Sequence, residues 1–456
     1  MFFMLSSTNS CIFGRVVSNF QFRSAIRNVT GSIPFVQTRT YSLFQGRRLC
    51  VGHILTRFLV YSIYDYYICN NHINNNHMEE LTILNPFVVG KYVSPHYFCD
   101  REVETQWLMK QIANGRNTAL VSFRRMGKTG LISHLFNQPE VKDRYHTVFV
   151  DVYASSSLTE FVYFLGKAIL EQVKKDKHSF MEQFFRVIKS LKVGFTVDPV
   201  TGETSFDLGL GSIQSPEITL DEIFSYLESI DKPCVVAIDE FQQVGSYQEQ
   251  HVEALLRSKI QQCRQTVFIF SGSKRHLMYN MFNSPAKPFY QSAVSMGLEA
   301  IPLAQYTPFV QSLFEERGKS VSSSVIEKVY RQFDGTTWYM QLMMNELFTS
   351  TGYGECCTED QVETAMSGII QVQDGGYRML LSQLSYKQKQ VLQAIAKEGK
   401  AYGITSAEFV GRHRLTSASS VQSAVRMLLK KDILTQQDDC YWIYDYFFGE
   451  WLKRNF

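Results

Sequence analysis

The sequence predicts an α/β fold: a parallel sheet covered by helices on both faces, followed by a helical lid and a C-terminal winged helix-turn-helix. Three observations predict it. Four short apolar runs between residues 117 and 271 are separated by helical stretches, the pattern of strands buried on both faces. From about 304 to 350 the apolar residues recur at helical spacing only. After 384, three helical stretches precede a hairpin, the element order of a winged helix. With 456 residues, 45% of them hydrophobic, the chain has enough apolar side chains for two or three cores.

Residues 1–77 stand apart. They hold seven arginines, no lysine and one acid, Asp65, and end in "NNHINNNH", which leaves the rest of the chain slightly acidic. Such a composition fits an organelle transit peptide. It equally fits upstream sequence read from a misplaced start, with Met78 before the acidic "MEELTILNPF" as the native one, and this second reading is preferred. The longest apolar run, around "FLVYSIYDYYI", is broken by Asp65 and too short for a membrane span. The body has no global basic footprint, which argues against a protein that coats nucleic acid throughout. Nine scattered cysteines without a CxxC pair read as reduced thiols in a cytoplasmic protein.

Residues 78–303 carry the sheet. "EVETQWLMKQIANG" has helical spacing, "NTALVSF" is a short strand, and "MGKTGLISHLFNQ" is the next helix. "YHTVFVDVY" is a second strand, "LTEFVYFLGKAILEQVKK" a long helix, "DKPCVVAIDEF" a third strand and "QTVFIFSGS" a fourth. Near 192–210 the alternation about a "DPVTG" turn predicts an inserted β-hairpin. Residues 304–352 are the lid, 353–384 a linker, and 385–456 the winged helix.

Gly127-Lys128-Thr129 sits between a strand and a helix, where backbone N–H groups and the helix dipole can hold phosphate. Lys128 adds a point charge and the Thr129 hydroxyl can reach Mg²⁺. The glycine that a full phosphate-binding loop has five places earlier is replaced by Ser122. On the third strand, "VVAIDE" ends in Asp239, placed for the metal, and Glu240, placed to orient or deprotonate water. An apolar strand ending in two acids is by itself only a strand leaving the core; the two motifs in order on one sheet are specific. The fourth strand ends in Ser271, which, like Ser273, could contact a γ-phosphate or attacking water or simply cap the strand. Arg275 and Arg257 could supply charge to a transition state, or be solvated surface arginines.

From Asn85 to Trp451, about four fifths of the chain, the sequence resembles the archaeal-type P-loop ATPases of the STAND/AAA superfamily, in the version found in Bacteroides-type bacteria. The resemblance is carried by "NPFVVGKYV", "FCDREVE", "RRMGKTGL", "VFVDVYASSSLTEF", "VVAIDEFQQV", "VEALLR", "FIFSGSKRHLM", "GTTWYMQLMMNELF" and "SASSVQSAVRMLLKKD". It implies an ATPase with ATP and Mg²⁺ as cofactors, slow, and working as a switch or small motor. Ser122, Arg124, Arg125, Met126, Gly127, Lys128, Thr129 and Gly130 would contact nucleotide, with Thr129 and Asp239 on the metal and Glu240, Ser271 and Arg275 in catalysis. Serine at 122 is a variant within the family, whereas Phe123 replaces its usual proline. The family also places the stretch around Arg101 near the adenine. Thr337-Trp338 stands where a His-Pro pair is usual, so a sensor role does not carry over. Arg124 and Arg125 match the family's arginine pair and would meet the lid or a neighbouring subunit of an oligomer.

The winged helix offers a second function. Arg412, Arg414, Arg426, Lys430 and Lys431 flank or lie on its third helix, and Ser417, Ser419 and Gln422 mark that helix's N-terminal end. The alternative to an ATPase is therefore a DNA-binding regulator whose nucleotide site only sets conformation. A partner protein docking on the same face is a third reading, and a merely solvated basic face is the plain one.

Overall fold

In the computed structural model the described residues are 84–175, 178–190, 193–197, 204–208, 213–249 and 251–456, so the extension at 1–77 lies outside them. Helix α1 (Glu102–Ala113) leads into β1 (Thr118–Val121), then α2 (Lys128–Phe136), α3 (Pro139–Arg144) and β2 (His146–Asp151). Helices α4 (Leu158–Lys175) and α5 (His178–Val187) precede β3 (Val193–Val197) and β4 (Thr204–Leu208), which pair antiparallel. Then come α6 (Pro216–Ser229), β5 (Cys234–Asp239), a 3-10 turn (Phe241–Ser246), α7 (Val252–Gln262), β6 (Thr266–Gly272), α8 (Arg275–Asn283) and β7 (Val294–Gly297).

The main sheet is parallel, in the order β2-β5-β6-β1-β7. Parallel pairing puts the C-terminal ends of all five strands on one edge. The ends of β1, β2, β5 and β6 therefore gather there, with Asp151 in register beside Asp239. Side chains alternate between two apolar layers. Leu120, Val235, Ala237 and Ile269 pack with residues of α1 and α2, while Ala119, Val236, Ile238 and Phe268 pack with α4 and α6. Strand β7 is a fifth member that the sequence reading did not include. It is four residues long, "VSMG", mostly exposed, and held by pairing with β1 and by the packing of Met296.

The lid consists of α9 (Leu303–Glu315), β8 (Ser320–Val321), α10 (Ser323–Gln332) and α11 (Thr337–Ser350). The expected linker at 353–384 is instead β9 (Cys356–Cys357), paired with β8, followed by α12 (Glu359–Ser382), a helix of 24 residues. Gly375-Gly376 and many polar residues disguised this helix in the sequence. A capping box of Thr358 and Gln361 starts it, and burial of Val362, Met366, Ile370, Tyr377 and Leu381 holds it.

The winged helix runs through α13 (Tyr386–Glu398), β10 (Lys400–Tyr402), α14 (Ala407–Arg412), α15 (Ala418–Lys430), β11 (Leu434–Gln437) and β12 (Cys440–Ile443). It closes with α16 (Tyr446–Asn455), whose N-terminus is capped by Asp445 accepting from the backbone of Phe447 and Phe448. The three strands pair in the order β10-β12-β11. Lid and winged helix share one continuous apolar core, from Phe87 through Tyr339 and Met366 to Trp451. No helix among the described residues is long and apolar enough to cross a membrane.

Candidate functional site

The loop between β1 and α2 makes two left-handed steps, at Arg125 (φ 66°) and Gly127 (φ 90°), while Ser122 keeps ordinary backbone. The glycine missing at 122 is thus not needed for its φ. The strained non-glycine position is Arg125, at a cost of about 1–2 kcal/mol. Gly127 caps α2, and the first N–H groups of a helix have no intrahelical acceptor, so they are free to face an anion. Lys128, 6% exposed, folds its Nζ back onto the Phe123 carbonyl at 3.1 Å and the Ser122 carbonyl and hydroxyl at 3.4 Å. Burial holds its ammonium below the usual lysine range, against the pull of Asp239 and Glu240.

Across from the loop, the Thr129 hydroxyl donates to Asp239 Oδ2 at 2.8 Å, and Asp239 Oδ1 accepts from the Glu240 N–H at 3.0 Å. Glu240 itself is left-handed (φ 55°) at the start of the 3-10 turn. Its Oε2 accepts from the Ser273 hydroxyl at 2.7 Å and from the Gln242 amide. Ser273 also receives the Arg124 Nε at 3.2 Å, which ties this acid to the loop. Asp151 completes the edge. Burial, with Asp239 and Glu240 nearby, pushes its carboxyl above the usual range, against the Tyr153 N–H. A hydroxyl and a carboxylate 2.8 Å apart beside further carboxylates form a hard-oxygen donor set, which fits Mg²⁺ held partly by phosphate.

The residues that a generic phosphate loop does not require reach the lid and the winged helix. The Arg125 guanidinium lies 4.1 Å from the Trp338 ring centroid and 4.7 Å from that of Tyr339. It donates to the Tyr339 hydroxyl and pairs with Asp445 at 3.6 Å. Its carbonyl accepts from Trp338 N at 3.0 Å, and the Met126 carbonyl accepts from the Thr337 hydroxyl at 3.2 Å. Phe123 meets Trp442 of β12 edge-on at 5.7 Å, and the Arg275 guanidinium lies over the Phe123 ring, 4.8 Å from its centroid. Lys274 pairs with Asp432 at 3.4 Å. The Tyr444 hydroxyl is buried without a partner among the described residues.

The remaining candidates fall into place around this site. Ser271 is fully buried in β6, and its hydroxyl has no partner among the described residues, so it is Ser273 that touches Glu240. Arg275 supports the loop through Phe123. Arg257 lies on α7, its Nε buried without an acceptor among the described residues. Arg101, 4% exposed, spends its guanidinium on Glu104, the Glu299 carbonyl and, at 3.5 Å, the Met126 carbonyl. It braces the loop from behind, and the side chain that its segment lays against α2 is Phe98, 3.3 Å from where a Cβ on Gly130 would stand. Asp151, Gln242, Trp442, Tyr444 and Asp445 were not singled out from the sequence. Only Asp151 carries a readable signal, an acid closing an apolar strand. On the winged helix, Arg412 is neutralised by Glu398 and Glu408. Arg414, Arg426, Lys430 and Lys431 are exposed and form no ion pair among the described residues.

Residues 98–343 match the ATPase domain family predominantly from Archaea, and residues 375–454 match a winged helix domain family. Among solved structures, the Walker-type ATPase of Pyrococcus abyssi is similar over 81% of this chain and 99% of its own, at 18% identity and a TM-score of 0.57. The ORC2 protein of Aeropyrum pernix, in its ADPNP–ADP complexes, is similar over 81% and 96%, at 13% identity and a TM-score of 0.50. No curated protein matches the sequence.

Proposed function

The chain belongs to the ATPase domain family predominantly from Archaea, and on that premise we propose that it is a Mg²⁺-dependent ATP-hydrolysing switch of AAA/STAND type. The observation that carries the switch is the reach of Phe123 and Arg125 from the phosphate loop to Trp338, Tyr339, Trp442 and Asp445. A loop that must close on phosphate is held by the body that would report its closure. Because lid and winged helix share one core, they would move together against the sheet.

In this reading the α2 N-terminus and Lys128 hold the β- and γ-phosphates. Thr129 and Asp239 would hold Mg²⁺, which supplies charge neutralisation to the phosphates when bound. Glu240 takes a proton from water as its oxygen bonds to the γ-phosphorus, and the bond to the β-phosphate oxygen breaks to leave ADP. Arg124 and Arg125, on the same loop, would supply further positive charge to the γ-phosphate. In turning to it, Arg125 would give up Asp445 and loosen the winged helix.

The test is a pair of variants followed by nucleotide binding and phosphate release. Lys128→Ala is expected to lose binding. Glu240→Gln is expected to keep binding and lose turnover. Turnover retained in Glu240→Gln would remove Glu240 from the chemistry.

A second reading, a DNA contact made by the winged helix, is favoured by one observation. The exposed stripe of α15 at Ser419, Gln422, Ser423, Arg426 and Lys430 contains no acid, and its cations form no ion pair among the described residues.

A further inference from the structure

Glu240 is held from two directions through only one of its carboxylate oxygens. Oε2 takes both the Ser273 hydroxyl and the Gln242 amide, while no donor among the described residues meets Oε1. Gln242 is 2% exposed and sits two residues along the 3-10 turn that Glu240 opens. Its place depends on Gly272, where a Cβ would stand 2.4 Å from Gln242 Oε1 and 2.5 Å from Met278 Sδ. The Gln242 Oε1 has no hydrogen-bond partner among the described residues. Buried amides ordinarily use both ends; among the described residues this one is committed by its NH₂ end to Glu240 alone.

We infer that Gln242, together with Ser273, is a positioning residue that fixes the plane of the Glu240 carboxylate and leaves Oε1 for the attacking water. The inference rests on the reading of Glu240 as the group that takes the water's proton. Two donors on one oxygen, from the 3-10 turn and from the loop after β6, stop rotation of the carboxylate. A proton acceptor must lie within hydrogen-bond reach of the water and keep that orientation. Because Ser273 also holds Arg124 at 3.2 Å, the same network registers the acid against the phosphate loop.

The test measures kcat and KM for Mg-ATP hydrolysis by the full chain, with nucleotide Kd alongside. Gln242→Leu removes one hydrogen bond to a charged group, and kcat is expected to fall about ten- to a hundredfold, with KM and Kd within about twofold. Gly272→Ala removes no polar side chain but displaces Gln242 and is expected to lose kcat likewise. Ser273→Ala is expected to lose kcat, and Ser273→Thr, which keeps the hydroxyl, to retain it. In a Glu240→Gln background, Gln242→Leu is expected to cause no further loss, since coupled groups are not additive. Should Gln242→Leu not fold, the Gly272 and Ser273 variants carry the comparison. An unchanged or raised kcat in folded Gln242→Leu, or a full further loss in the Glu240→Gln background, overturns the inference. Normal turnover in Glu240→Gln overturns the Glu240 reading and this inference together, whereas a dead Glu240→Gln with a normal Gln242→Leu overturns this inference alone.

Discussion

Replacing Arg125 with alanine removes the main polar link between the phosphate loop and the lid–winged-helix body. The half-buried Trp338 ring and the buried Tyr339 ring contribute about 1 kcal/mol each as cation–π partners. The hydrogen bond to Tyr339 adds roughly 1 kcal/mol. The Asp445 pair, about a third exposed on both sides, adds no more than about 1 kcal/mol after solvent screening. These terms overlap, so about 2–3 kcal/mol is expected, or roughly 30- to 150-fold in the docking equilibrium. The assay is amide hydrogen exchange without nucleotide. Protection of β12 and the first turns of α16 should drop by that factor, while β5 and β6 keep theirs. Arg125→Gly removes the same contacts but relieves the left-handed strain. It should therefore unfold at a higher temperature than Arg125→Ala, the reverse of the usual glycine penalty. Unchanged exchange in β12 and α16 of a folded Arg125→Ala chain would refute the assignment of Arg125 as the link.

Two other outcomes follow from the same geometry. Chelating Mg²⁺ should weaken ATP binding in the unmodified chain more than in Asp239→Ala, because Asp239 and Thr129 form the hard-oxygen pair; calorimetric titration with and without chelator reads the difference. If the winged helix contacts duplex DNA, neutralising Arg426 and Lys430 should weaken binding and reduce the salt slope by about 0.9 per lost phosphate contact. Arg412→Ala should change neither, since Glu398 and Glu408 already occupy that guanidinium; fluorescence anisotropy across a salt series separates the two cases.

The parallel sheet was legible because its central strands are buried on both faces and read as continuous apolar runs, as in "CVVAID" and "TVFIFSG". Strand β7 escaped because an exposed edge strand of four residues has no such run. Helix α12 escaped because two glycines and exposed polar positions broke its periodicity, although Thr358 and Gln361 announce its start. At the site, the phosphate loop and Asp239–Glu240 follow from local chemistry that recurs at fixed spacing. Gln242, Asp445 and Trp442 do not. Their importance comes from contacts formed only when a 3-10 turn or a winged helix more than 300 residues away folds against the loop. Serine at 122 fits its place because it keeps ordinary backbone, and the chain takes its left-handed step three residues later.

Occupation of the phosphate loop is expected to move the lid–winged-helix body against the sheet. Spin labels on exposed positions of α7 and α15 in the Glu240→Gln chain measure it most directly. Adding Mg-ATP should shift the distance distribution between them, and the shift should vanish when Lys128→Ala is added. Identical distributions with and without Mg-ATP, in a chain that calorimetry shows to have bound the nucleotide, would contradict the claim.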